Sequence, residues 1–302
     1  MSRTILFHTT NYQYLSDKVA ETSNVKEGLV EVKHFSDGER YQRIISKIEG
    51  KNVALIGGTI DDSDTLELYD LASALVSYGC NSIKIFVPYF GYSTMERAVK
   101  SQEVVTAKTR ARLLSSIPRS VKGNRIYLFD LHSEGIPHYF ENQLHPSHIY
   151  CKNVVIEAAM EFGGSDFILA STDAGRAKWV ESLANDMKVN AAFVLKRRIQ
   201  SDETEVTAIN ADVAGKCVII YDDMIRSGGS IIHAAKAYKD AGADKIFVIT
   251  THGLFIQSGL DKMKNSGLIE KVICMDTHPN AMKIQDDFLE VKSVAGLISK
   301  HL

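Results

Sequence analysis

The chain is poor in the features that stabilise small secreted or metal-bound folds. Its four cysteines, Cys80, Cys151, Cys217 and Cys274, are far apart and no two have C-x-x-C spacing, which argues against a zinc knuckle. With 302 residues the chain is long enough to bury real cores, so neither disulfides nor a structural metal is needed. No run approaches the ~18–20 apolar residues of a membrane span, and the opening MSRTILFHTTNY lacks the apolar centre of a signal peptide. Neither sign of charge dominates: 35 basic against 37 acidic residues leave a formal net charge of −2. A nucleic-acid binder usually carries a basic excess or stripe, so an anionic partner here must be met by a few placed cations. Low-complexity linkers are also missing, which predicts lobes in firm contact. The expectation from these absences is a cytoplasmic protein with neither a membrane nor a nucleic-acid partner.

What is present alternates. Short β-rich apolar runs fall at 53–56, 83–87, 126–129, 167–170, 192–195, 217–221, 246–250 and 272–275. Runs of this length, apolar on both faces, fit buried parallel strands. Helical patterns lie between several of them. After Asp61, Asp62 and Ser63 an apolar stripe of Leu68, Ala72, Leu75 and Val76 ends at Gly79, and a second helix runs from Ser230 to Gly242. Strand–helix alternation makes the class α/β with parallel sheets flanked by helices. Ligands of such sheets bind beyond the carboxyl ends of the strands. Glycines, acids, histidines and hydroxyls gather there, at 57–59, 130–132, 171–173, 222–223, 251–252 and 276–277. A weak internal echo, IYLFDLHSEG against VIIYDDMIRSGG, points to two similar lobes meeting near 145–147.

The strongest motif is CVIIYDDMIRSGGSIIHAAKAY, starting at Cys217. A strand delivers Asp222 and Asp223, then a loop of Arg226, Ser227, Gly228 and Gly229, then a helix from Ser230. Backbone N–H groups of a glycine loop feeding a helix N-terminus form an anion site. Neighbouring carboxylates accept hydrogen bonds from vicinal sugar hydroxyls. Together they fit a ribose carrying a 5-phosphate.

This segment resembles the ribose-phosphate loop of the phosphoribosyltransferase fold. Six further stretches narrow the resemblance to the ribose-phosphate pyrophosphokinase family: HFSDGER (34–40), VPYFGYSTMERAVKSQEVVTAK (87–108), FDLHSEGIPHYF (129–140), STDAGRAKWV (171–180), LKRR (195–198) and THGLF (251–255). The resemblance implies two tandem phosphoribosyltransferase-like lobes, 1–146 and 147–289, with a C-terminal helix at 290–302 returning to the first. It implies transfer of the β,γ-diphosphate of ATP to the anomeric hydroxyl of ribose 5-phosphate. It also implies a homo-oligomer.

By the same resemblance Lys196 and Arg198 stabilise the transferring group, ahead of a polar stretch, SDETEVTAIN, that reads as a mobile loop closing over ATP. His132 and Asp173 match the family's Mg2+ positions, although magnesium prefers oxygen ligands and His132 has the alternatives of acting through water or filling the strand end. Phe35, Asp37 and Glu39 match a loop that reaches the adenine of ATP in a neighbouring subunit, and Arg97 matches a phosphate contact.

Three departures fall in the site. Thr94 and Met95 stand where the family carries an arginine and a glutamine that contact ATP. Arg226 replaces the loop's usual acid, and Arg176 follows the metal-aspartate segment in place of glycine. The charge reversal at Arg226 should strengthen anion binding there or enlarge the anion tolerated. It resembles the altered loop of a plant-type subgroup less selective for the nucleotide donor, or points to a changed acceptor, an extended ribose phosphate such as ADP-ribose. A catalytically silent regulatory homologue and a phosphoribosyltransferase are the alternatives from other classes.

Overall fold

The valine- and isoleucine-rich runs become the centres of two sheets, where burying each such side chain contributes about 1.5–3 kcal/mol. The computed structural model describes residues 3–172, 175, 177–198 and 204–302, and the backbone alone at 195–198 and 204–208. The chain divides into two compact units. The first is Met1–Tyr150 with Val294–Leu302, and the second is Cys151–Ser293.

In the first unit, strands β1 (Ile5–His8), β2 (Lys26–Glu27), β5 (Asn52–Ile56), β6 (Ser82–Val87), β7 (Asn124–Phe129) and β8 (Leu144–Ile149) pair in the order β2-β1-β5-β6-β7-β8. All these pairings are parallel. Helices α1 (Gln13–Thr22), α2 (Asp62–Ser77) and α3 (Thr106–Ser115) connect them, and a separate antiparallel hairpin joins β3 (Val30–His34) to β4 (Arg40–Ile44). Leu55, Leu68, Leu75, Ile85 and Ile126, all fully buried, anchor its core.

The second unit opens with α4 (Lys152–Gly163), then β9 (Phe167–Ser171), α5 (Ala177–Met187), β10 (Asn190–Arg198), β11 (Thr204–Ile209), β12 (Cys217–Ile225), α6 (Gly229–Asp240), β13 (Lys245–Gly253), α7 (Gly259–Asn265), β14 (Lys271–Met275), α8 (Pro279–Met282) and β15 (Leu289–Lys292). Its sheet order is β11-β10-β9-β12-β13-β14-β15, parallel except where β11 returns antiparallel on β10. Ile220, Val248, Ala234 and Tyr238 sit in its core at 0 % exposure.

The two sheets repeat one topology. In each, the second strand goes to one side of the first and the later strands go to the other, so β1, β5, β6, β7 and β8 correspond to β9, β12, β13, β14 and β15. The turns agree in detail: Gly50 N–H donates to Gly79 O at 2.8 Å before and after one strand–helix pair, and Gly215 N–H donates to Gly242 O at 2.8 Å in the other.

All eight apolar runs are strands, and the class is α/β as expected. Four readings change. The echo of IYLFDLHSEG with VIIYDDMIRSGG aligns β7 with β12, whereas the sheets pair β7 with β14 and β5 with β12. Residues 145–147 lie inside β8, hydrogen-bonded to β7, and the division falls after Tyr150; Pro146 and three polar neighbours hid this edge strand. The region 290–302 is not one helix, because 289–292 pair with β14 as β15 and only α9 (Ala295–Ser299) is helical, packed on α1. Of the polar stretch 201–210, residues 204–209 form β11; the β-branched threonines, valine and isoleucine of TEVTAI suit a strand. Among the described residues no helix is long and apolar enough to cross a membrane.

Candidate active site

The order of strands reverses between β9 and β12, because the chain leaves β9 for β10 on one side and returns at β12 on the other. Ligands of open α/β sheets bind at such a reversal, outside the carboxyl ends of the strands. β9 stops at Ser171, opposite Tyr221, while β12 runs on to Ile225 paired only with β13. Asp222 and Asp223 therefore lie within β12 rather than past it, beside an edge that β9 has vacated.

The Thr172 hydroxyl donates to Asp222 Oδ2 at 3.2 Å, bridging the reversal, and Asp223 N–H donates to Asp222 Oδ1 at 3.0 Å. Successive residues of a strand face opposite sides. Asp222 is half-buried and Asp223 is 3 % exposed, so the pair does not offer two equally open carboxylates.

After Ile225 the chain turns through Arg226 and Ser227 to Gly228, whose φ of 78° belongs to the left-handed region that glycine adopts freely. Gly228 is the N-cap of α6, and no side chain caps the helix or places an acid in its first turn. The first N–H groups of an α-helix have no partner within the helix. Those of Gly229 and Ser230 therefore lie at the positive end of the helix dipole. Arg226 and Ser230 are exposed and Ser227 half-buried. One loop thus gathers a guanidinium, two hydroxyls and a helix N-terminus, a set that binds a phosphate.

The first unit has the opposite chemistry at its own reversal, between β1 and β5. Helix α2 there is capped by Asp61, which accepts from Asp64 N–H at 2.9 Å, and Asp62 and Asp64 lie in its first turn. Glu67 Oε1 accepts from both the N–H and the hydroxyl of Thr10, at 2.8 and 2.7 Å. Burial raises the pKa of Asp64 above the usual carboxylate range, against a smaller lowering by the Asn11 amide. This reversal is filled by the unit's own carboxylates, which disfavours a phosphate.

The other expected residues fall in both units. Phe35, Asp37 and Glu39 form the tight turn of the β3–β4 hairpin, where Phe35 N–H donates to Glu39 O at 2.9 Å and Glu39 N–H to Asp37 Oδ1 at 3.1 Å. All three are exposed, and Phe35 meets Tyr41 edge-on at 6.3 Å between centroids. Arg97 is exposed, its Nε 3.5 Å from Glu96. His132 lies half-buried past β7, two residues beyond Asp130. Lys196 lies opposite Val206 and Arg198 opposite Thr204 on the β10–β11 ribbon, next to a register shift at Leu195/Lys196. Their side chains, and Asp173 and Arg176 entirely, lie outside the described residues.

Sequence reasoning placed Thr172 among the strand-end residues at 171–173 but gave it no role of its own. It also gave functional weight to strand-end residues that serve one another. His252 Nδ1 lies 2.8 Å from the Thr277 hydroxyl, which donates to Thr251 O at 2.7 Å, and the Tyr221 hydroxyl lies 3.2 Å from that of Thr251. These four are 2 % exposed or less. Polar groups so buried must find partners, and here they find each other.

Comparison with known proteins identifies the family. Residues 4–117 match the N-terminal domain of ribose phosphate pyrophosphokinase, and 168–301 match the phosphoribosyl synthetase-associated domain. Ribose-phosphate pyrophosphokinase 1 of Streptococcus mutans is 31 % identical, over 98 % of this chain and 92 % of its own. Ribose-phosphate pyrophosphokinase of Prochlorococcus marinus is 31 % identical, over 100 % of this chain and 90 % of its own. The crystal structure of phosphoribosylpyrophosphate synthetase from Mycobacterium smegmatis superposes with a TM-score of 0.86 at 23 % identity, covering 99 % of this chain and 97 % of that one, and so shares the fold. A strand reversal with an open helix N-terminus, the two family domains and full-length relatives lead to one assignment: the chain belongs to the ribose-phosphate pyrophosphokinase family.

Proposed function

We propose that the protein transfers the β,γ-diphosphate of ATP to the anomeric hydroxyl of ribose 5-phosphate, giving phosphoribosyl diphosphate and AMP. The observation that carries this is the uncapped, acid-free N-terminus of α6 behind Gly228, with Asp222 beside it at the strand reversal. The 5-phosphate sits on the N–H groups of the loop, with Arg226, Ser227 and Ser230 around it. The Asp222 carboxylate accepts from a ring hydroxyl, and Asp223 steadies Asp222 through its own N–H. A sugar held at both ends leaves its anomeric hydroxyl free to attack.

The bond from that oxygen to the β-phosphorus forms as the bridge to the α-phosphate breaks, and AMP departs with the bridging oxygen. The hydroxyl proton passes to solvent. Such transfers depend on positioning and on charge stabilisation, not on a protein nucleophile. Lys196 and Arg198 supply cations for the charge that develops, a role that rests on their match to the family.

Mg2+ would neutralise the ATP phosphates and hold them in line. Magnesium keeps waters and substrate phosphates in its shell and needs only one or two protein ligands. Among the described residues no cluster of three or more His, Cys, Asp or Glu side chains forms, and the donors present suit a cation carried in on ATP. By their match to the family, His132 and Asp173 are the residues that would serve the metal, Asp173 lying outside the described residues. Phe35, Asp37 and Glu39, exposed on the hairpin, would meet the adenine of ATP in a second copy of the chain, with Arg97 on its phosphates, which makes the active form a homo-oligomer.

One feature favours a second acceptor. Arg226 stands exposed at the loop, where a second phosphate, as in ADP-ribose, would meet it. The experiment is AMP release from ATP and Mg2+ with ribose 5-phosphate or ADP-ribose at equal concentration. Faster release with ribose 5-phosphate supports the principal reading, and faster release with ADP-ribose replaces the acceptor. No release with either overturns the enzyme in favour of a silent homologue.

A further inference from the structure

Helix α7 begins at Gly259, whose φ is −57°, a value any residue adopts. What demands glycine there is clearance. A Cβ at Gly259 would lie 2.7 Å from the Arg226 carbonyl oxygen and 3.0 Å from the Ser227 carbonyl carbon. A Cβ at Gly228 would lie 3.0 Å from the Gly259 oxygen. The phosphate loop and the start of α7 are thus packed backbone to backbone, with the Met263 side chain also close against Gly228.

The segment leading to Gly259 is held under strain. Phe255, Gln257 and Ser258 have φ of 46°, 54° and 56°, a region costing of order 1–3 kcal/mol for each residue that is not glycine. Such strain persists only where the surroundings over-determine it, and they do. Leu254 N–H and Phe255 N–H both donate to Ile225 O, at 2.9 and 3.2 Å, and the Asn280 amide donates to Leu254 O at 2.8 Å. The strained stretch is therefore bonded to the last residue of β12 and pressed against the three residues that follow it.

We infer that residues 254–259 form a rigid back wall that sets the height of the phosphate loop, with Gly259 as a positioning residue that never touches substrate. The inference rests on the sugar-phosphate reading of that loop. Any side chain at 259 pushes residues 226–228 outward and misplaces the N–H groups of α6 relative to a bound phosphate. Displacements of about 1 Å at such anchors are costly to binding and rate.

The test is steady-state kinetics of AMP release for Gly259→Ala, with thermal melting alongside. The KM for ribose 5-phosphate should rise about tenfold, equivalent to about 1.4 kcal/mol, with the KM for ATP nearly unchanged and the melting temperature lowered because main chain must shift to admit the Cβ. Gly296→Ala, where a Cβ meets nothing within 4 Å, should leave all constants as they are. Should Gly259→Ala fail to fold, Ser258→Gly provides the second measurement. It relaxes the wall without adding atoms, and should raise the same KM several-fold without lowering the melting temperature. Wild-type turnover combined with an unchanged ribose 5-phosphate KM in the folded variants would overturn the back wall alone. A wild-type protein that releases no AMP with a ribose phosphate would overturn the functional reading, and this inference with it.

Discussion

Asp130 and Asp276 occupy the same place in the two sheets, each the first residue past its strand and each donating its N–H to the last residue of the neighbouring edge strand. Asp130 donates to Ile149 O at 3.1 Å and Asp276 to Lys292 O at 2.9 Å. A histidine follows two residues later in both, His132 and His278. Their fates differ. His278 is 3 % exposed and caps α8, its Nδ1 accepting from Asn280 N–H at 3.2 Å, whereas His132 stays half open to solvent. One copy of the motif caps a helix in the interior and the other lies nearer the surface.

The interior position of His278 makes stability depend on pH. Burial, then the nearby His252 and Lys283, lower the pKa of His278 to about 3, below its unfolded value of about 6.5. Between these values the unfolded chain binds a proton that the folded one refuses. Stability is thus fully present above about pH 6.5 and falls by about 1.4 kcal/mol per unit as pH drops through the window. His278→Asn keeps a capping acceptor and cannot titrate. Urea midpoints at pH 7 and pH 5 should differ less in this variant than in wild type; equal differences would remove His278 as the cause.

Ser230→Asp separates stability from binding. An acid in the first turn of α6 interacts well with the helix dipole, worth about 0.3–1 kcal/mol, so the melting temperature should rise slightly. The same carboxylate repels a sugar phosphate, so the KM for ribose 5-phosphate should rise by about tenfold or more. A variant that gains stability and keeps its KM would place the phosphate elsewhere.

In the first unit, Asp61→Ala should cost about 1 kcal/mol through loss of the α2 cap. The loss should be read in chemical denaturation with no change in the ribose 5-phosphate KM, because the N-terminus of that helix is occupied by its own carboxylates.

Gly91→Ala should be more damaging. Its Cβ would sit 1.9 Å from the Thr59 carbonyl oxygen, a main-chain clash that no rotamer relieves. Gly91 N–H also donates to the Thr59 hydroxyl at 2.8 Å. Overpacking of this kind costs about 1–3 kcal/mol, and denaturant midpoints should report it.

Much of this was legible in the chain itself. Central strands of a parallel sheet are buried on both faces, so their composition announces them without reference to any neighbour. Helix α2 announced itself through its Asp61 cap and its Gly79 stop, and the phosphate loop through Gly228 and Gly229 behind two acids. These signals are local because backbone conformation and capping are decided within a few residues.

What the tertiary structure alone decided is how differently the two equivalent strand reversals are filled. Both units have a strand reversal and a helix beside it, but Glu67 and Asp61 fill one, while Gly228 leaves the other open. The edge strands β8 and β15 carry too little apolar patterning to be read without their partners, so the true repeat of β7 with β14 was hidden. Gly259 looks like an ordinary helix start until Arg226, 33 positions earlier, is seen against it. Such close approaches join residues distant in sequence, and nothing local in the sequence records them.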